Sequence, residues 1–437
     1  MNKMCWPGYN NHNNLLNEGV HLIDNIEQRN HLKSRHSLYI AILILVLLVP
    51  GLSSCDSKTR NPLPEEYLDK AEIAGMPQIR DWGAEKSEYF QKDLEDAIRQ
   101  HISSMPEGYN IEDDEFNILA ISGGGSNGAF GTGLLNGWDA SGTRPVFRLV
   151  TGISTGALVA PFAFLGGEYD AEIGRLFTSV TTEDIFKKKS FFGILGSLIG
   201  SSDSIADSAP LAGLIAQNID EEMLNDIAKA HSEGRRLYVA TTNFDARKLV
   251  VWNMGAIASS GHPKALELFR SIILASCSMP VAFPAVYFDV EADGQTYDEM
   301  HVDGGVMTEV FFYGNILDLD EAVKNLGIKR HVNDRIFIIR NNQIGARYEE
   351  VEIDVLSIAG RALSSLTTTQ GVGDLYRIYA VTQREGIEFN LASVPHDFKP
   401  NPKEAFDQVE MKRLYDLGYD MALNGYPWEK LPPFYHE

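Results

Sequence analysis

The sequence predicts an α/β domain, a central sheet with helices interspersed, and three observations point to it. Phe116 to Ile121 reads as an apolar strand, followed by a glycine-rich turn and then small and apolar residues at helical spacing. The same order returns at 146–164, where VFRLVTG leads through Gly152-Ile153-Ser154-Thr155-Gly156 into a helical TGALVAPFAF. Two strands around a turn are expected over RLYVATTNFDARKLVVWNM, and one more over RIFIIRNNQ. With 437 residues, 44% hydrophobic and 22% charged, the chain is long enough for one large α/β domain with additions.

The formal net charge is −22, which argues against a large phosphate-binding surface and hence against a nucleic-acid partner. The cysteines, Cys5, Cys55 and Cys277, are too sparse for a disulfide framework or a zinc cluster. Residues 1–37 are polar and rich in Asn and His, and they end in the basic KSRH. An uninterrupted apolar run of 12 residues follows, Leu38 to Val49. A spanning helix needs about 20, so this length suits the apolar core of a secretory signal. Leu52-Ser53-Ser54-Cys55 then resembles the lipobox of bacterial lipoproteins. That resemblance implies cleavage before Cys55, lipidation of its thiol and new amino group, and anchoring in a bacterial cell envelope, on the inner or the outer membrane. Several acyl chains on one cysteine hold a protein stably, where one chain alone does so marginally.

From Asp56 to about Pro64 the polar, Pro-containing chain reads as a tether. Segment 84–104 has helical spacing, with Phe90, Leu94, Ile98 and Ile102 on one face, and is expected to pack on the main domain.

The turn after the first strand, Gly123-Gly124-Gly125-Ser126-Asn127-Gly128, also fits the GxGxxG pattern of dinucleotide sites. Such a site wants an acidic residue about 20 positions on, at the end of a second strand. The nearest, Asp139, lies in the turn-like GWDASGT, and no Gly-Lys-Ser/Thr follows, so no nucleotide is expected. Consecutive glycines at a helix N-terminus instead expose backbone N–H groups, which suits an oxyanion hole. Ser154, between a strand and a helix, sits in the setting that lifts a nucleophile into a cleft, and Pro161 is expected to kink the helix behind it.

A serine nucleophile needs a proton acceptor. After Cys55 the chain has His101, His231, His262, His301, His331, His396 and His436. Only His396, in SVPHDFKP, falls where a Ser…Asp…His order would put it, and its surroundings read as a surface loop. The competing candidate is Asp303-Gly304-Gly305, which by itself would be an ordinary turn.

Taken in order, the glycine loop at 123–128, GxSxG at 152–156, ASCSMPVAFPAVYF at 275–288 and DGG at 303–305 resemble the patatin-like phospholipase family. The resemblance covers roughly 117–315. It implies a patatin-like three-layer α/β/α sandwich with a mostly parallel central sheet and helical additions. It further implies a Ser–Asp dyad, with Ser154 as nucleophile and Asp303 as base. The oxyanion donors would be Gly124 and Gly125, with Gly123 and Gly128 shaping the loop and Gly152, Gly156, Gly304 and Gly305 supporting the two motifs. The chemistry implied is hydrolysis of phospholipid or other acyl-ester lipid through an acyl-serine, at a membrane surface, with no cofactor and no metal.

One departure is Asn127, where the family's loop usually carries Arg or Lys; Asn donates a hydrogen bond but brings no charge. Asp is also an intrinsically weak base, about 3.5 kcal/mol behind His, so the dyad requires an apolar setting, with the 279–288 segment and Val302 as expected walls. The lysines and apolar stretch of 186–199 are read either as a mobile lid or as a buried helix beside a solvated charge run. Segment 355–385 is expected to be helical and to pack outside the core, and Cys277 to be a small buried residue. The organisation expected is a leader over 1–54, a tether and helical extension over 55–115, a catalytic domain over 116–316 and a C-terminal part over 317–437. The rivals are a non-catalytic lipid-binding lipoprotein and a Ser–His–Asp esterase.

Overall fold

Asn117–Ile121 (β3) is buried along its whole length, as a strand covered on both faces must be. Its side chains alternate between two cores: Ile118 and Ala120 face one, Leu119 and Ile121 the other. This computed structural model describes residues 60–109, 114–188, 206–312, 316–328, 334–345, 348 and 350–435. The leader, Cys55 and the 191–199 stretch lie outside the described residues, as does most of the 186–199 segment.

The sheet has ten strands. Besides β3 these are Glu72–Ile73 (β1), Arg80–Trp82 (β2), Leu149–Gly152 (β4), Arg236–Asn243 (β5) and Lys248–Asn253 (β6). Val286–Ala292 (β7), Gln295–Asp303 (β8), Arg335–Gln343 (β9) and Glu388–Val394 (β10) complete it. The parallel core runs β5-β4-β3-β9-β10. Beyond β5 the pairing turns antiparallel, to β6 on one branch and to the β8–β7 hairpin on the other.

Helices cover both faces. On one lie Glu88–Ser104 (α1), Leu319–Asn325 (α8) and the second half of Val355–Glu385 (α9), through Phe90, Leu94, Leu319, Leu375 and Ile378. On the other lie Gly128–Ala140 (α2), Thr155–Leu165 (α3), Glu168–Ser179 (α4), Ala209–Asn218 (α5), Glu221–Ser232 (α6), Ala265–Ser276 (α7) and Gln408–Leu423 (α10). The result is a three-layer α/β/α sandwich. Among the described residues no helix is long and apolar enough to cross a membrane.

Several boundaries differ from the sequence reading. Residues 60–437 form one compact unit, with no break at 316. β9, the strand expected over RIFIIRNNQ, lies between β3 and β10, so 317–437 supplies two strands of the central sheet. The tether ends earlier than Pro64: Arg60 pairs with Asp245 and Asp298, and Leu63 is buried. The N-terminal helix begins at Glu88, capped by the Ser87 hydroxyl, which accepts from the Phe90 N–H at 3.0 Å. Its last expected core residue, Ile102, is exposed. Asp139 sits in the last turn of α2, not at a strand end.

Candidate active site

Both glycine-bearing loops leave the C-terminal ends of adjacent parallel strands, where open α/β sheets form their clefts. Ser154 caps the N-terminus of α3 with φ 54° and ψ −127°, a left-handed backbone that a side-chain-bearing residue adopts only under constraint. Part of that constraint is crowding. A Cβ at Gly156 would lie 2.3 Å from the Ile121 carbonyl oxygen, and one at Gly152 would lie 2.4 Å from that of Gly156. Only glycine lets the strand and helix approach this closely. The Ser154 N–H donates to Ser276 Oγ at 3.0 Å, and that hydroxyl donates to the Ala240 carbonyl at 2.7 Å, tying the elbow to α7 and β5. α3 runs on through Pro161, which removes one backbone donor from a fully buried helix without ending it.

The glycine loop lies beside this elbow. Gly123 donates its N–H to the Glu309 carbonyl at 3.2 Å, and the Gly128 N–H turns back onto the carbonyls of Gly125 and Ser126. The N–H groups of Gly124 and Gly125 donate to no acceptor among the described residues. Gly124 has φ 154°, and a Cβ there would lie 2.6 Å from that of Asn341. A Cβ on Gly123 would meet Ser154 Cβ at 3.1 Å, and one on Gly128 would meet Thr155 Cγ2 at 2.1 Å, so the loop packs directly against the elbow. Asn127 turns aside, donating to Asn342 Oδ1 at 2.9 Å.

Asp303 ends β8, paired with Thr241 of β5. Its Oδ1 accepts from the Gly305 N–H at 2.7 Å, while Oδ2 is buried with no hydrogen bond of ordinary length. The side chain is 1% exposed. Burial pushes its pKa up to about 7, against smaller opposing contributions from the Ser154 hydroxyl and the Gly305 N–H. Gly304 packs on β5, where a Cβ would lie 2.6 Å from the Ala240 carbonyl oxygen.

Ser154, Asp303 and Gly123–Gly125 share a cleft of about 510 Å³ with Leu176, Phe177, Leu211 and Phe283. Met279 to Phe283 form one wall, as the sequence suggested; Val302 is buried but does not reach the cleft. Cys277 is not a core residue: it lies on the cleft wall and its thiol donates to the Ser154 carbonyl at 3.2 Å. Burial, with Asp303 nearby, raises its pKa well above that of an ordinary thiol. α9 also departs from expectation, because Gly360, Leu363, Ser364 and Thr367 of its first half close the cleft.

No histidine lines the cleft among the described residues. His396 is exposed in a turn after β10, and His301 is buried between Thr241 Oγ1 at 2.8 Å and Glu299 Oε2 at 3.0 Å. Nor do His, Cys, Asp and Glu gather into a metal-binding group among the described residues.

Sequence reasoning missed Glu309. Its carboxylate accepts from Asn342 Nδ2 at 2.8 Å and pairs with Arg340 at 3.1 Å, its N–H donates to Asp374 Oδ2 at 2.8 Å, and it lies on the cleft wall. Burial raises its pKa, although Arg340 and Asn342 oppose the shift.

Residues 119–313 match the family model described as patatin-like phospholipase, and the observed fold is the three-layer α/β/α sandwich with a mostly parallel central sheet that the resemblance implied. Among solved structures, VipD from Legionella pneumophila is similar at 13% identity and a TM-score of 0.36, over 71% of this chain and 66% of that one. ExoU from Pseudomonas aeruginosa, in complex with SpcU, is similar at 14% identity and 0.32, over 71% and 52%. Human GIVD cytosolic phospholipase A2 is similar at 10% identity and 0.28, over 76% and 53%. The chain thus spans between about half and two thirds of those proteins' own lengths. No curated protein matches the sequence.

Proposed function

We propose that this protein is a lipid acyl hydrolase in which Ser154 is the nucleophile and Asp303 its base. One observation carries the reading: a buried carboxyl, raised to about 7 and with the Ser154 hydroxyl against it, shares the cleft with a strained serine backbone and two unengaged N–H groups. At its ordinary pKa near 3.9 an aspartate is a poor base beside histidine at about 6.5. At about 7 that deficit is gone, and the base titrates near the pH at which it must work.

Asp303 takes the Ser154 proton as Oγ attacks the acyl carbonyl carbon, and the N–H groups of Gly124 and Gly125 receive the developing oxyanion. As the tetrahedral intermediate collapses, the protonated Asp303 returns its proton to the departing alkoxide, leaving an acyl-serine. Water then attacks that ester while Asp303 accepts its proton, and Ser154 is regenerated with release of the fatty acid. The apolar cleft holds the acyl chain.

The leader sequence supports attachment to a bacterial envelope membrane through lipidated Cys55. Cys55→Ala would then leave the protein unlabelled by radioactive palmitate and release it from the membrane fraction.

The catalytic reading is tested with a short, soluble p-nitrophenyl ester. Ser154→Ala and Asp303→Asn should each lower kcat by a factor on the order of 10³ or more while the protein stays folded. Near-normal turnover in Asp303→Asn would remove Asp303 from the mechanism, and His396→Ala should leave turnover unchanged.

A further inference from the structure

The cleft wall is one-sided in charge. Its ionisable side chains among the described residues are Asp303, Glu309 and the Cys277 thiol; no lysine, arginine or histidine joins them. The cation paired with Glu309 is closed off. Arg340 is 1% exposed, does not reach the cleft wall, and is held behind Glu309 by the 3.1 Å pair and a 3.3 Å bond to the Thr368 carbonyl of α9. Asn127, in the glycine loop, is neutral and bonded to Asn342. Besides Ser154 and Thr155 at the elbow, the uncharged polar side chains of the wall are Asn342 of β9, which is bonded to Glu309, and Ser364 and Thr367 of α9.

The cleft therefore offers two kinds of wall. Leu176, Phe177, Leu211 and Phe406 are among the apolar residues that suit an acyl chain. Asn342, Ser364 and Thr367 offer hydroxyl and amide partners to an alcohol, and Glu309, although paired with Arg340 behind it, presents to the cleft an acidic group and not a cation. A phosphate brought here would be desolvated with no cationic partner, and discrimination by an unpaired buried charge is strong.

We propose that the substrates are acyl esters of uncharged alcohols, such as monoacyl- or diacylglycerols, and that Glu309 is the residue that excludes anionic headgroups. This rests on the hydrolase reading above and narrows it. Hydroxyls of a glycerol leaving group would bond to Asn342, Ser364 and Thr367. An anionic headgroup would meet Glu309 instead.

The experiment compares kcat/KM of the full chain for three substrates sharing one oleoyl chain and one ester position: monooleoylglycerol, lysophosphatidylcholine and lysophosphatidylglycerol. They are presented in nonionic detergent micelles at high salt, so that the chain's overall negative charge is screened and the charge inside the cleft is not. The expected result is a preference of about tenfold or more for monooleoylglycerol over lysophosphatidylglycerol. Glu309→Gln should narrow that ratio. Because the ratio is taken on one preparation, a smaller folded fraction in the variant cancels. Replacing Lys187, Lys188 and Lys189 together by alanine should leave the ratio unchanged.

Equal or faster hydrolysis of the anionic lipid would overturn the proposal, as would a ratio that Glu309→Gln does not alter. Either outcome leaves the hydrolase reading intact, because turnover would still have been seen. Loss of all ester turnover in a protein that folds would sink both.

Discussion

In water Asp303 would be the wrong residue for its proposed task, and burial alone corrects it. The same burial has a thermodynamic consequence. Its folded pKa, about 7, lies above the unfolded value near 3.9, so the native state binds the proton more tightly. The stability this confers is complete below about pH 4 and is lost as pH rises towards 7, a swing on the order of 4 kcal/mol. Asp303→Asn removes the titration, so the variant should melt above the wild type at pH 8, with the gap closing as pH falls towards 5. Calorimetry across that range checks it, and equal melting temperatures at pH 8 would mean that the carboxyl is better solvated than its 1% exposure implies. Activity should move the other way. On the short ester, log kcat/KM should rise with pH and level off above about 7, as the free enzyme's base loses its proton.

Among the elements, the two glycine loops were legible because close approach leaves a residue-type signature. Gly152 and Gly156 press on backbone, and nothing larger fits. Gly156→Ala should therefore destabilise the fold by about 1–3 kcal/mol in urea titration, and the surviving native fraction should hydrolyse the short ester more slowly because Ser154 is displaced. A variant as stable and active as the wild type would show that β3 and α3 are not locked together. α9 was legible as a helix but not as a roof. Ile358 and Leu366 are exposed while Leu363 lines the cleft and Leu375 lies in the core, so its apolar residues mark no single face. Cys277 and Glu309 were misread or missed for a related reason: what they touch lies far away in sequence, Cys277 on Ser154 and Glu309 on Gly123, Arg340 and Asp374.

At the scale of the molecule, the motif-bearing stretch is not self-sufficient. β9 and β10 lie beside β3, and Asn341 of β9 braces the glycine loop's strand, its N–H donating to Ser122 Oγ at 2.9 Å. The four ordered motifs marked the half of the sheet that carries the cleft, whereas order across a sheet is set by long-range pairing that spacing does not encode. Cutting the chain at residue 316 should consequently leave Leu119 and Ile121 without Phe337 and Ile339, their partners across the sheet and in the same core. The 60–316 fragment is expected to be insoluble or to lack a cooperative melt, while 60–437 unfolds in a single transition. A soluble, cooperatively folding 60–316 would show that the sheet closes without its last two strands.

The central claim is that buried Asp303 activates Ser154. The most direct measurement is the rate at which a fluorophosphonate labels Ser154, followed by intact mass and mapped by peptide, as a function of pH. In the wild type the rate should climb with pH through an apparent pKa near 7. In Asp303→Asn it should be slow and flat, and in Ser154→Ala no adduct should form. Labelling of Ser154 in Asp303→Asn at the wild-type rate would contradict the account.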